Sequence, residues 1–123
     1  MISIVDDDPS VREAMLGLVR SLGFDAVTFS SAEDFLQSDQ IDDTSCLITD
    51  VQMPGLSGVE LQSHLTSRGS LVPIIFVTAS PERKIEAQVR SAGAVAFLNK
   101  PFEDEALIEC LAQALEGRPD ARH

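Results

Sequence analysis

Apolar residues recur along this chain in two alternating rhythms. Five short runs rich in β-branched residues read as strands: Ile2–Val5, Ala26–Phe29, 46–49, Ile74–Thr78 and 95–98. The first, third and fourth are almost continuously apolar, which is expected of strands covered on both faces, as inside a parallel sheet. Between the strands the apolar spacing widens to three or four. Val11, Met15, Leu18, Val19 and Leu22 form one helical stripe; Ile85, Val89 and Ala92 form another; Leu107, Cys110, Leu111, Ala114 and Leu115 form a third. Polar punctuation marks the boundaries. Asp8-Pro9 and Ser80-Pro81 each read as an N-cap followed by proline at the first helical position. Ser30 with Glu33, and Ser57 with Glu60, have the capping-box spacing. Gly23, Gly69, Gly93 and Gly117 each follow a periodic segment, where a left-handed C-cap is wanted. Strands alternating with helices need right-handed crossovers, so the pattern predicts one α/β domain, (βα)5 and doubly wound, with a five-stranded parallel sheet and helices on both faces.

Composition adds limits to this picture. At 123 residues, 44% of them hydrophobic, the chain is long enough for one core and too short for two. The predicted domain covers residues 1–116, and the polar tail from 117 to 123, with Gly, Pro and two arginines, reads as a linker or a fraying end. Nine Lys+Arg against 20 Asp+Glu give a net charge of −11, which argues against nucleic acid or an anionic membrane as a partner of this chain alone. Cys46 and Cys110 stand far apart among apolar neighbours and read as small core residues in a reducing compartment. No signal-peptide pattern and no apolar run of membrane-spanning length is present, so the expectation is a cytoplasmic protein.

In an open parallel sheet the chemistry gathers outside the carboxyl ends of the strands. Asp6-Asp7-Asp8 follows the first strand, Asp50 the third, Thr78-Ala79-Ser80 the fourth and Asn99-Lys100-Pro101 the fifth, while the second ends in Phe29-Ser30 and offers nothing reactive. Asp8 has a structural role available as an N-cap. The carboxylates of Asp6, Asp7 and Asp50 would repel one another at close range, and Lys100 supplies only one compensating charge. A hard divalent cation with oxygen ligands, Mg2+ or Mn2+, meets the deficit. Such a site, with a hydroxyl and an ammonium beside it, suits stabilising charge on a transferring phosphoryl group.

Those residues carry a resemblance. Ile4-Val5-Asp6-Asp7, Ile48-Thr49-Asp50-Val51-Gln52-Met53-Pro54, Gly58-Val59-Glu60-Leu61, Phe76-Val77-Thr78-Ala79, Ala92-Gly93-Ala94 and Lys100-Pro101-Phe102 together resemble the receiver domain of bacterial two-component response regulators, over about residues 2–116. The resemblance implies a flavodoxin-like sheet of order 2-1-3-4-5. It implies that Asp50 accepts a phosphoryl group from a sensor histidine kinase, and that Asp6, Asp7, Asp50 and the backbone carbonyl of Gln52 hold the metal. Thr78 and Lys100 would contact the phosphoryl oxygens, and the peptide between Lys100 and Pro101 would be cis. Thr78 and Phe97 match a switch pair; Phe97 has no hydroxyl where many relatives carry tyrosine, so switching here would rest on packing. The implied readout is homodimerisation through the fourth helix, fifth strand and fifth helix, about residues 81–116. Gln52 and Ser80 occupy variable positions bordering the phosphoryl site, which implies an influence on phosphoryl lifetime.

Segments 31–36 and 93–102 look most like regulators whose receiver precedes a LuxR-type helix-turn-helix, so the expected output is transcription through a DNA-binding domain outside this sequence. The expectation is a signalling phosphoacceptor that promotes its own phosphorylation and dephosphorylation, not an enzyme with a separate substrate. A phosphohydrolase with an aspartate nucleophile is the nearest rival, but it resembles D-x-D after a first strand, whereas here position 52 is Gln and no cap-sized insertion exists. Neither G-x-G-x-x-G nor a P-loop follows any strand, which weighs against a nucleotide-binding domain. His64, with Gln62 and Ser63, reads as a surface residue.

Overall fold

A computed structural model describes residues 1–80 and 82–116. Its elements alternate throughout: β1 (Ile2–Val5), α1 (Pro9–Ser21), β2 (Ala26–Phe29), α2 (Ala32–Gln37), β3 (Cys46–Asp50), α3 (Gly58–Ser67), β4 (Ile74–Thr78), α4 (Arg83–Ser91), β5 (Ala96–Asn99) and α5 (Asp104–Glu116). The sheet has the order β2-β1-β3-β4-β5, and every neighbouring pair is parallel. Both follow the expectation.

Strand alternation divides the core in two. Ile2 and Ile4, Cys46 and Ile48, Ile75 and Val77, and Ala96 face Met15 and Val19 of α1 and Leu107, Cys110, Leu111 and Ala114 of α5. Val5, Leu47, Ile74 and Phe76 face the other way, onto Phe35 of α2, Leu61 and Leu65 of α3, and Val89 of α4. Cys46 and Cys110 are buried in the first cluster, and desolvation pushes the Cys110 thiol up from its ordinary pKa, as for an inert core residue. His64 is exposed, as predicted; Gln62, two residues before it, is buried, and its amide donates to the Val89 carbonyl at 3.0 Å, tying α3 to α4. Among the described residues no helix is long and apolar enough to cross a membrane.

Several boundaries differ from the sequence reading. β3 runs one residue further, because Asp50 pairs in register with Val77, and β5 is shifted by one to start at Ala96. The α2 cap is Ser31, which takes the Asp34 N–H, rather than Ser30, whose hydroxyl instead donates to the Asp34 carboxylate. The α4 cap is Glu82 rather than Ser80, whose N–H is turned back to the Thr78 hydroxyl. Ala92 and Leu22 stand at exposed C-cap positions outside their stripes. The predicted caps at Asp8 and in the Ser57/Glu60 box are present, and Gly23, Gly69 and Gly93 take positive φ after their helices. Gly117 and the tail lie outside the described residues, as does Pro81.

Candidate functional site

Alternation also explains which strand-end side chains meet. Asp6 continues the parity of Ile2 and Ile4, Asp50 that of Cys46 and Ile48, and Lys100 that of Ala96 and Leu98. All three therefore emerge from the α1/α5 side of the sheet, at its carboxyl edge. There the Lys100 ammonium bridges two carboxylates, at 2.8 Å from Asp6 Oδ2 and 3.0 Å from Asp50 Oδ2. Thr78 continues the opposite parity, that of Ile74 and Phe76. Its connection to the group runs through the backbone, where the Lys100 N–H donates to the Thr78 carbonyl at 2.7 Å.

Each carboxylate is oriented by its own loop. Asp6 is fully buried, and its Oδ1 accepts the Asp8 N–H at 2.9 Å. The Arg12 guanidinium donates to the Asp6 carbonyl at 2.8 Å, which sets the peptide leading to the exposed Asp7. Asp50 is buried; its Oδ1 accepts the Gln52 N–H at 3.2 Å while its Oδ2 takes Lys100. The turn that follows is made possible by Gly58, whose N–H reaches the Val51 carbonyl at 2.8 Å. A side chain there would collide with the Asp50 carbonyl, so the α3 N-terminus approaches this closely only as glycine.

Oxygen atoms of Asp6, Asp7 and Asp50 lie within 4.8 Å of one another. Three carboxylates and one ammonium leave a charge deficit in a partly buried place. Burial pushes the Asp6 carboxyl above its ordinary pKa, outweighing the Lys100 hydrogen bond that pulls it down. Burial alone would lower the Lys100 pKa, but its hydrogen bonds to Asp6 and Asp50 together hold it above the ordinary value. An all-oxygen, multiply anionic donor set of this compactness fits a hard divalent cation.

The remaining predicted residues fall around this centre. Thr78 is buried, and its hydroxyl accepts the Ser80 N–H at 3.1 Å, leaving its own proton to donate. Phe97 is half-buried, opposite Phe76 in the β4–β5 register and packed at the margin of the second core cluster rather than sealed within it. In the β4–β5 register Thr78 stands opposite Asn99, which puts Phe97 diagonal to it on the same sheet face. The Lys100–Pro101 peptide is cis. Two further residues touch this region: Arg12, which the sequence did not single out, and Glu33, which it offered only as half of a capping box. Neither stands at a strand end, and only the packed helices bring them near.

The model of the response regulator receiver domain family matches residues 2–112. Nodulation protein W of Bradyrhizobium diazoefficiens is 40% identical over 116 residues, covering 94% of this chain and 51% of that protein. Response regulator protein TodT of Pseudomonas putida is 40% identical over 122 residues, covering 99% and 54%. Among solved structures, response regulator StyR superposes with a TM-score of 0.90 at 41% identity, covering 98% of this chain and 61% of that one. FixJ-N superposes with a TM-score of 0.84 at 35% identity, covering 95% and 94%. The chain spans about half the length of the curated relatives it matches.

Proposed function

Since this chain belongs to the response regulator receiver domain family, we propose that Asp50 is its phosphoacceptor and that the acidic cluster serves that transfer. The observation that carries the reading is the convergence of Asp6, Asp7 and Asp50 within 4.8 Å, with Lys100 bonded to two of them.

Asp6, Asp7, Asp50 and the Gln52 carbonyl hold Mg2+, or Mn2+ in its place. When bound, the ion neutralises the carboxylates and the developing charge on the phosphoryl oxygens. The donor is a phosphohistidine of a sensor histidine kinase. An Asp50 oxygen attacks phosphorus, a P–O bond forms as the P–N bond breaks, and the electron pair leaves on the imidazole. Lys100 pairs with one phosphoryl oxygen, exchanging a carboxylate partner for a phosphate one. Thr78, whose hydroxyl proton is uncommitted, donates to another. Water later attacks the phosphorus in the same place, the P–O bond to Asp50 breaks, and inorganic phosphate leaves as the Asp50 carboxylate is restored. The chain is thus a signalling phosphoacceptor that promotes its own modification and has no separate substrate.

Phosphorylation draws Thr78 toward the phosphoryl group, and the half-buried Phe97 ring turns into the space that Thr78 leaves. The α4–β5–α5 face then forms a homodimer. The relatives of about twice this length include proteins described as transcriptional regulators. That supports an output on transcription, exerted in the cytoplasm through a DNA-binding domain outside this sequence.

Incubating the protein with Mg2+ and a small acyl phosphate tests the reading by mass spectrometry. A gain of one phosphate is expected in the wild type and none in Asp50→Asn. A gain that persists in Asp50→Asn refutes the assignment. Ultracentrifugation of the phosphorylated form tests the dimer, and an unchanged mass would count against that face.

A further inference from the structure

Glu33 stands in the first turn of α2, yet it has no part in capping that helix, where Ser31 serves the Asp34 N–H. Its carboxylate instead crosses to the loop between β3 and α3. Oε2 accepts the Leu56 N–H at 3.2 Å, across 23 residues of sequence. The same oxygen lies against Gly55, in the space a Cβ would need, and Gly55 has φ +78°. The left-handed backbone favours glycine there, and the missing Cβ leaves room for the Glu33 carboxylate to sit against the loop.

The loop so held is the one that shapes the Asp50 site. At its start the Gln52 N–H orients Asp50 Oδ1, and at its end the Gly58 N–H closes on the Val51 carbonyl. Both of those ties join residues of the loop and its own flanks. Glu33 brings a tie from a different element, and it acts on the middle of the segment.

We propose that Glu33 is a positioning residue for the phosphoacceptor site. Its carboxylate latches the β3–α3 loop to α2, so that the Gln52 backbone is already in place when a divalent cation arrives. The inference rests on the reading of Asp6, Asp7 and Asp50 as a metal site. Glu33 is not among the clustered carboxylates, so its action on metal binding passes through the loop rather than through coordination.

Two experiments on the full chain test this. Calorimetric titration with Mg2+ compares wild type, Glu33→Ala and Glu33→Gln, and amide hydrogen exchange follows Leu56 and Gln52 without metal. Glutamine removes the charge but keeps an oxygen acceptor of the same reach. Loss of one hydrogen bond to the loop should weaken Mg2+ binding in Glu33→Ala by roughly three- to tenfold. Glu33→Gln should stay within about twofold, and the Leu56 amide should lose protection only in Glu33→Ala. Unchanged Mg2+ affinity in Glu33→Ala overturns the proposal. So does an equal loss in Glu33→Gln, which would make the effect one of charge at a distance. Equal Leu56 protection in all three proteins overturns the latch. Failure of the wild type to bind Mg2+ would overturn the metal reading itself; the Leu56 amide, read without metal, tells that failure from failure of the latch.

Discussion

The acidic cluster should cost the metal-free protein stability, and Asp6→Asn measures how much. Asp6 is fully buried and lies within 4.8 Å of two other carboxylates. At an effective dielectric constant of about 20, one such neighbour repels it by about 3.5 kcal/mol. Lys100, at 2.8 Å, attracts it by about 6 kcal/mol on the same scale. With Asp7 as a second and more solvated neighbour, repulsion and attraction nearly cancel. The sign is then decided by desolvation, which costs several kcal/mol for a buried ion. The raised Asp6 pKa points the same way. Because the folded pKa lies above the unfolded one, the native state binds the extra proton. Stability from this group is therefore full below about 3.8 and is lost as pH rises through the folded value. Asparagine's single oxygen keeps an acceptor for the Asp8 N–H without the charge, while Lys100 loses its Asp6 partner and retains Asp50. Asp6→Asn should raise stability in EDTA at pH 7 by about 1–3 kcal/mol, with an advantage that shrinks as pH falls toward the carboxylate range. The chain has no Trp and no Tyr, so urea unfolding is best followed by far-UV circular dichroism. Adding Mg2+ at a hundred times its Kd should stabilise the wild type by about 2.7 kcal/mol and the variant much less, narrowing or reversing the order. A variant less stable than wild type in EDTA, or an advantage independent of pH, would refute the reasoning.

Further outcomes follow from single contacts. Gly58→Ala, which drives a Cβ into the Asp50 carbonyl, should lose about 1–3 kcal/mol and slow phosphorylation. Gly17→Ala, in α1 with open space around it, should gain about 0.5–1 kcal/mol in the same urea titrations. Gln62→Leu should cost about 1 kcal/mol, since its hydrogen bond to the Val89 carbonyl is lost while the Ala94 N–H still serves that oxygen; hydrogen exchange should localise the loosening to α4. The Lys100 ammonium should titrate above 10.5 by carbon-detected NMR in metal-free protein, its stabilising contribution complete below that value and lost as pH rises through the folded one.

The parts of this molecule readable from sequence are those governed by a local period. Alternation within a run such as Ile2-Ser3-Ile4-Val5 sets which residue leaves the strand on which face, and strand ends then share one edge because every crossover is right-handed. That logic brings Asp6, Asp50 and Lys100 together across as many as 94 residues of sequence. It breaks down where two local solutions compete. Ser30 with Glu33 and Ser31 with Asp34 both have cap spacing, and nothing within α2 prefers one over the other. Burial of Ala32 and Phe35 settles the helix register, and Glu33 is left to reach the β3–α3 loop. Gln62 was hidden for the same reason: an amide beside His64 looks solvated until α4 packs over it. The strand boundary at Asp50 is more instructive. A carboxylate in a fully buried parallel strand contradicts the apolar pattern before it, and Lys100 from the far end of the chain, with the Gln52 N–H, makes it tolerable. At this edge three carboxylates gather, and Lys100 is the one ammonium bonded to them among the described residues. A fold under selection for stability alone has no reason to keep that conflict, so the conflict supports the proposal that this edge binds an ion and a phosphoryl group at the expense of stability.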